Sequence, residues 1–171
     1  MPSGKVHDKI TILTAAAVGP CLWLAATPHA PLSAACATAG YLFGGLWMSD
    51  DLDTRSVSYK RWGPLRIVWW PYQKLIPHRS WISHGVGIGP LLRVFYFAAA
   101  AFLCARLLLG LAAVWIMPLD RDLILRKTVV AILSAASAHA DLGWWALGGL
   151  IAAGFVHGAA DRIVSTAKRL W

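Results

Sequence analysis

The sequence predicts an all-α fold, a polytopic membrane bundle of about four transmembrane helices with an interfacial segment rich in aromatic and basic residues. Three observations predict it. The 171-residue chain is 58% hydrophobic and contains ten tryptophans, more apolar surface than a soluble domain usually carries. Four long apolar runs, residues 10–27, 31–48, 94–117 and 142–160, hold at most one formal charge each, and most of the basic residues lie between or outside these runs.

The four apolar runs define the predicted helices. A helix of about 18 residues rises about 27 Å, close to the thickness of the hydrocarbon core. We therefore expect one membrane-embedded domain over residues 1–171. The helices are predicted near residues 10–27, 31–48, 86–117 and 142–161.

The distribution of basic residues predicts the orientation. With four spans, eleven lysines and arginines fall on the side that holds both termini and the loop 49–84, and three fall on the other side. The positive-inside rule makes the first side cytoplasmic, so we expect a multi-pass protein of a bacterial inner membrane. Residues 123–138 are predicted to lie in the opposite interface; if they spanned, the last helix would run the other way. A signal peptide over 10–27 is the less favoured alternative.

The loop 49–84 contains the interfacial segment. In "YKRWGPLRIVWWPYQKLIPHRSW" bases alternate with Tyr and Trp, and Pro64, Pro71 and Pro77 prevent one continuous helix. Tyr, Trp and bases favour the lipid headgroup layer, so membrane lipids are the expected partner. Single-stranded nucleic acid is recognised by a similar pattern, but a membrane interface already explains it and no nucleic acid is expected.

Histidine and aspartate converge at the cytoplasmic ends of the predicted helices. His157 and Asp161 are four residues apart and share one helical face. Asp51 and Asp53 are expected in extended backbone, where they would point the same way. His78 and His84 require a turn between them to face inward. The complete set is His7, Asp8, Asp50, Asp51, Asp53, His78, His84, His157 and Asp161.

A mixed set of imidazoles and carboxylates suits a divalent metal. Zinc is favoured over manganese or iron, and the set is large enough for one or two ions. Each residue alone is more typical of a capped or solvated helix end, and the prediction depends on their convergence. Haem is disfavoured because its ligands would face each other within the helices. The histidine–aspartate order differs from that of HD phosphohydrolases.

Four motifs carry a family resemblance: "MPSGKVHDKIT", "DLDTRSVSYKRWGPLR", "WWPYQKLIPHRSWISHG" and "HGAADRIVS". They resemble a bacterial family of metal-binding integral membrane proteins, which is similar to inner-membrane metal-dependent hydrolases of the DNA-damage regulon. The resemblance covers the two ends and residues 44–97. Where the family often has Gly-Pro before "DLD", this chain has Ser49 and Asp50. The resemblance implies metal ligation by His7, Asp51, Asp53, His78, His84, His157 and Asp161.

The leading functional hypothesis is a metal-dependent hydrolase that acts on a phosphoester or other anionic substrate at the cytoplasmic membrane surface. The histidine–aspartate order is also similar to that of bacterial helical zinc phospholipases. The predicted catalytic bases are Asp8 and Asp50, and the predicted substrate-binding residues are Arg79, Arg55 and Arg61. A non-catalytic metal sensor or buffer is the alternative. A metal transporter ranks last because the predicted helices contain almost no polar path.

Overall fold

A computed structural model describes residues 3–25, 30–78, 80–85, 87–115 and 120–170. Within these ranges the chain is helical with no strand, which confirms the all-α prediction. The chain divides into two compact units, one formed by Met1–Val94 with Asp141–Trp171 and the other by Phe95–Ala140.

The first unit contains most of the helices. Its long helices are α1 (Gly4–Ala25), α2 (Ala30–Leu46), the start of α6 (Ile88–Trp115) and nearly all of α8 (Ala140–Leu170). Its short helices are a 3₁₀ helix (Asp50–Asp53), α3 (Val57–Arg61), a second 3₁₀ helix (Gly63–Val68), α4 (Trp69–Leu75) and α5 (Trp81–His84). The second unit contains the rest of α6 and the whole of α7 (Arg121–Ala138).

The helices differ from the predicted ranges mainly at their ends. Helix α1 begins at Gly4, so His7 lies inside this helix and does not precede it. Helix α8 continues to Leu170, nine residues beyond the predicted end at 161. The segment 49–84, predicted as a loop, folds into short helices, and residues 123–138 lie within α7.

Among the residues that the structure describes, two helical stretches are long and apolar enough to cross a membrane, Ile88–Ala112 in α6 and Ala140–Leu170. No residue of the apolar window in α6 is buried by the protein, and Phe95 is 74% exposed. Helix α2 has 17 residues, at the lower limit for a transmembrane helix. Four spans with cytoplasmic termini therefore remain a prediction.

Helices α1, α2 and α8 pack closely because small residues lie at their contacts. A methyl group added at Gly149 would collide with the Ala37 carbonyl, and one at Gly40 would collide with Ala146. The hydroxyl groups of Thr14 and Tyr41 hydrogen-bond between α1 and α2. The packing brings the beginning of α1, the end of α2 and the second half of α8 together.

The short helices fold against this packed region. Serine caps begin three of them: the Oγ atoms of Ser49, Ser56 and Ser80 each accept a hydrogen bond from a backbone N–H. The segment is not one continuous helix, as predicted, since Gly63–Val68, Trp69–Leu75 and Trp81–His84 are separate helices. Pro64 and Pro71 lie in the first turns of two of these helices, and Pro77 lies between the last two.

Helix α4 is held against the first 3₁₀ helix by side chains from its buried face. Trp69 and Tyr72 are almost fully buried. Gln73 Nε2 donates hydrogen bonds to the carbonyls of Leu52 and Thr54. This attachment fixes the chain that leads from α4 to His78.

Candidate metal centre

The first group of potential ligands joins the two ends of the chain. His7 on α1 and His157 on α8 stack with ring centroids 3.8 Å apart. His7 Nε2 lies 3.1 Å from Asp161 Oδ1, and His157 Nε2 lies 3.9 Å from Asp161 Oδ2. His7 and His157 are 4% and 5% exposed, so the two imidazoles of this group are buried, whereas Asp161 is partly exposed. Donor atoms of the three residues lie within 4.8 Å of one another, close enough to share an ion.

The second group comes from the segment 49–84. His78 Nδ1 lies 2.9 Å from Asp53 Oδ1, and His84 Nδ1 lies 3.8 Å from Asp53 Oδ2. The Asp53 side chain is completely buried, whereas His78 is 40% exposed. Donor atoms of Asp53, His78 and His84 also lie within 4.8 Å of one another.

Asp51 lies beside the first group, and the two groups are neighbours. Asp51 Oδ1 is 3.7 Å from His157 Nε2, and the ring centroids of His84 and His157 are 6.5 Å apart. Asp51 and Asp53 occupy a 3₁₀ helix, so the prediction of extended backbone was wrong. Side chains two residues apart on a helix diverge. Asp51 therefore faces His157, and Asp53 faces His78 and His84.

The electrostatics favour the metal-binding protonation state at two of the proposed ligands, His7 and Asp51. Burial lowers the pKa of His7, and the neighbouring His157 lowers it further. Burial alone would raise the pKa of Asp51, but the neighbouring His157, followed by the charges of His7 and His84, lowers it overall. A neutral imidazole and an ionised carboxylate result, which are the forms that ligate divalent ions.

A small cavity of about 10 Å³ adjoins the first group, with room for about one water molecule. His7, Asp8 and Asp51 line it together with serine hydroxyls. Asp8 Oδ2 also accepts a hydrogen bond from Arg61 Nη2 at 2.6 Å. The predicted base Asp8 thus lies at the centre, and the predicted substrate ligand Arg61 pairs with it.

Residues 2–171 match the sequence profile of a family described as uncharacterized metal-binding protein (DUF2227). The chain belongs to this family. No curated protein and no solved structure shows a significant match to the chain. The predicted membership of a metal-binding family is confirmed, and the two His/Asp groups support metal binding by this chain.

Unsatisfied buried atoms show that the groups fit a divalent ion. Asp53 Oδ2, His84 Nε2 and His157 Nε2 are buried and have no hydrogen-bond partner among the described residues. A buried polar atom without a partner costs about 1–3 kcal/mol. All three belong to predicted ligands, and coordination of an ion would satisfy them. The nitrogen and oxygen donors suit zinc, manganese or iron.

Ser83 supports the second group and was missed by the sequence analysis. Its Oγ atom is 2.8 Å from His84 Nδ1 and donates to the carbonyl of Ser80 at 3.2 Å. Because the hydroxyl hydrogen is used there, Ser83 can accept a hydrogen bond from Nδ1–H of His84. This leaves the Nε2 lone pair of His84 free for a ligand. The position of Ser83 directly before His84 was the available sequence signal.

Arg93 is the second residue that the sequence analysis missed. It lies within the predicted helix 86–117, and no role was predicted for it. Its side chain is 1% exposed and forms an ion pair with the predicted base Asp50, which is 2% exposed. Asp50 therefore lies beside the centre with its carboxylate already paired.

The remaining predicted residues lie elsewhere or outside the described chain. Arg55 is exposed, and Arg79 lies outside the described residues. Both therefore stay predictions as substrate ligands. The exposed His139 follows α7 and belongs to neither ligand group.

Proposed function

We propose that the protein is a membrane-embedded metal-dependent hydrolase that acts on a phosphoester or other anionic substrate at the cytoplasmic membrane surface. One observation carries the proposal: each ligand group offers three protein ligands, with Asp51 beside the first group. Structural zinc sites are usually closed by four protein ligands, whereas catalytic sites keep a position open for water or substrate. Six grouped ligands and Asp51 suit two ions, with zinc favoured.

The chemistry of the centre would combine metal activation with residues of the chain. Bound divalent ions would lower the pKa of water towards neutrality and polarise a phosphoryl oxygen. Asp8 shares the water-sized cavity with His7 and Asp51, so its carboxylate is placed to accept a proton there. Arg61 holds Asp8 in position and also donates to the carbonyl of Leu46. Arg79 and Arg55 are the residues that we assign to the anionic substrate.

A membrane location is supported by exposed apolar side chains next to bases. In the interfacial segment Leu65 and Ile67 are 62% and 73% exposed and flank Arg66. A soluble protein would expose this surface to water, whereas a lipid interface would receive both the apolar and the basic groups. We therefore propose membrane lipids as partners and the inner membrane as the location.

A non-catalytic metal sensor or buffer is the second candidate. Burial of the two imidazoles of the first group and the small volume of the adjoining cavity favour it, because a substrate needs more room than one water molecule. The two candidates agree on the ligands and differ in turnover. A hydrolase needs an accessible metal position, and a buffer does not.

The test is hydrolysis of a chromogenic phosphodiester by the detergent-purified protein, with and without a chelator. We expect turnover that the chelator abolishes and that added zinc or manganese restores. His84→Ala and His157→Ala should lose both metal and turnover, whereas the matched control His139→Ala should keep both. Full metal content without metal-dependent turnover of any phosphoester tested would favour the sensor or buffer.

A further inference from the structure

We propose that Arg93 is a positioning residue. Its single guanidinium group fixes the position of the two ligand groups of the metal centre relative to each other. The inference rests on the proposed metal centre, but it does not require hydrolysis. Arg93 itself contacts neither ligand group directly. It acts through Asp50 and through the backbone of Ser83, each of which is the chain neighbour of a proposed ligand.

The two terminal nitrogen atoms of the Arg93 guanidinium group bind two different segments of the chain. Nη2 of Arg93 donates to Asp50 Oδ1, and Nη1 donates to the carbonyl of Ser83 at 2.9 Å. Asp50 begins the 3₁₀ helix that carries Asp51 and Asp53. One planar group thus joins the segment that carries the aspartates to the segment that carries His84.

The same contact reaches the helix that carries the first group. A methyl group added at Gly154 of α8 would lie 3.4 Å from Asp50 Oδ1 and 3.1 Å from Pro90 Cγ. Asp50 therefore packs against α8 three residues before His157. Because the Arg93–Asp50 pair lies among α6, α8 and the 3₁₀ helix, a shift of this pair would move donors of both groups.

Burial makes this pair sensitive to small changes. Removing one partner of a buried ion pair leaves an uncompensated charge, which is strongly destabilising. Burial raises the pKa of the nearby Tyr72, and the charge of Arg93 opposes this rise. Two hydrogen bonds in different directions require the planar fork of arginine, which lysine lacks although it keeps the charge. Arg93→Lys therefore separates the role of geometry from the role of charge.

Arg106 provides a matched control on the same helix. It is 48% exposed and pairs with Asp122 at 3.1 Å. Exposed pairs contribute about 0–1 kcal/mol to stability. Arg106→Lys makes the same chemical change as Arg93→Lys, at a site in the other unit of the chain.

The experiment is titration of the metal-free, detergent-purified protein with Co²⁺, followed by visible absorption, beside thermal unfolding of the metal-free form. We expect Arg93→Lys to weaken Co²⁺ binding about 10–100-fold, the range for residues that orient metal ligands, and to change the absorption spectrum. Arg106→Lys should bind Co²⁺ as the wild type does. Wild-type affinity and spectrum in Arg93→Lys would overturn the positioning role.

A second variant keeps the test decisive if Arg93→Lys does not fold. Asp50→Asn retains the size of the side chain and removes its charge, and we expect at least tenfold weaker Co²⁺ binding with an altered spectrum. Wild-type binding by a folded Asp50→Asn protein would also overturn the proposal. If the wild type binds Co²⁺ but hydrolyses nothing, the hydrolase proposal fails and the role of Arg93 stands. If the wild type binds no Co²⁺, both fail.

Discussion

Replacement of Gly149 by alanine is expected to destabilise the protein, whereas the same replacement at the adjacent Gly148 is not. The methyl group added at Gly149 would lie 2.8 Å from the backbone nitrogen of Tyr41 and 2.9 Å from the carbonyl carbon of Ala37. Contacts this short require α8 to move away from α2. At Gly148 the methyl group would meet nothing within 4 Å.

The magnitude follows from a comparison of the two variants. Alanine is better than glycine in a helix by roughly 0.5–1 kcal/mol, and both variants gain this. Overpacking costs about 1–3 kcal/mol, and Gly149→Ala alone incurs it. The difference between the variants therefore isolates the packing cost. For a chain of 171 residues, roughly 2–4 °C per kcal/mol gives a difference in Tm of about 2–12 °C.

The assay is thermal unfolding followed by circular dichroism in one detergent, together with zinc binding. His157 follows Gly149 by two helical turns, so a displaced α8 should also weaken binding in Gly149→Ala. Gly148→Ala should unfold at or above the wild-type temperature and bind zinc normally. Equal Tm values for the two variants would refute the close approach of α2 and α8.

Three further outcomes are expected. In the metal-free protein the contribution of His7 to stability should fall as the pH falls below about 6.5, because burial lowers the pKa of His7 below that ordinary value and His7 then binds a proton in the unfolded chain that it does not bind in the folded chain. Relative to the wild type, His7→Gln should shift the dependence of Tm on pH towards greater stability at low pH, and an identical dependence would contradict this. Ser83→Ala should weaken zinc binding about 10-fold or more in a competition titration, because His84 loses the partner that orients it, and unchanged affinity would remove this role. A reporter that is active only outside the cytoplasm should stay inactive when fused after Leu170, since the bases favour a cytoplasmic C-terminus, and strong activity would refute the four-span topology.

The sequence was sufficient to predict helices and to select candidate ligands, because both depend on strong local signals. Apolar runs mark the long helices, and a histidine next to such a run is unusual enough to be noticed. The spacing of His157 and Asp161 predicted that they share one helical face, and in the structure both belong to the first group. The ligand assignments themselves remain predictions until an ion is measured.

The division of the ligands into two groups could not be predicted, because it depends on backbone conformation. Extended backbone would have pointed Asp51 and Asp53 to one side, whereas the 3₁₀ helix separates them. The start of α1 was missed because Lys5, Asp8 and Lys9 interrupt the apolar pattern, although the helix already includes them.

The role of Arg93 depends on tertiary contacts that no local pattern contains. Its partners Asp50 and Ser83 lie 43 and 10 residues away in the chain. A single arginine in an apolar helix suggests a buried partner, but the sequence does not identify which carboxylate it meets. The three-dimensional packing of α6 against the 3₁₀ helix supplies that information.

The most direct test of the two-group metal centre is the number of divalent ions bound per chain. Elemental analysis of the detergent-purified protein, after equilibration with excess zinc and removal of free metal, should find two ions per chain. His78→Ala should reduce the count to one, because it removes a ligand of the second group and leaves the first intact, and His139→Ala should keep two. A wild-type count of one or none would contradict the account.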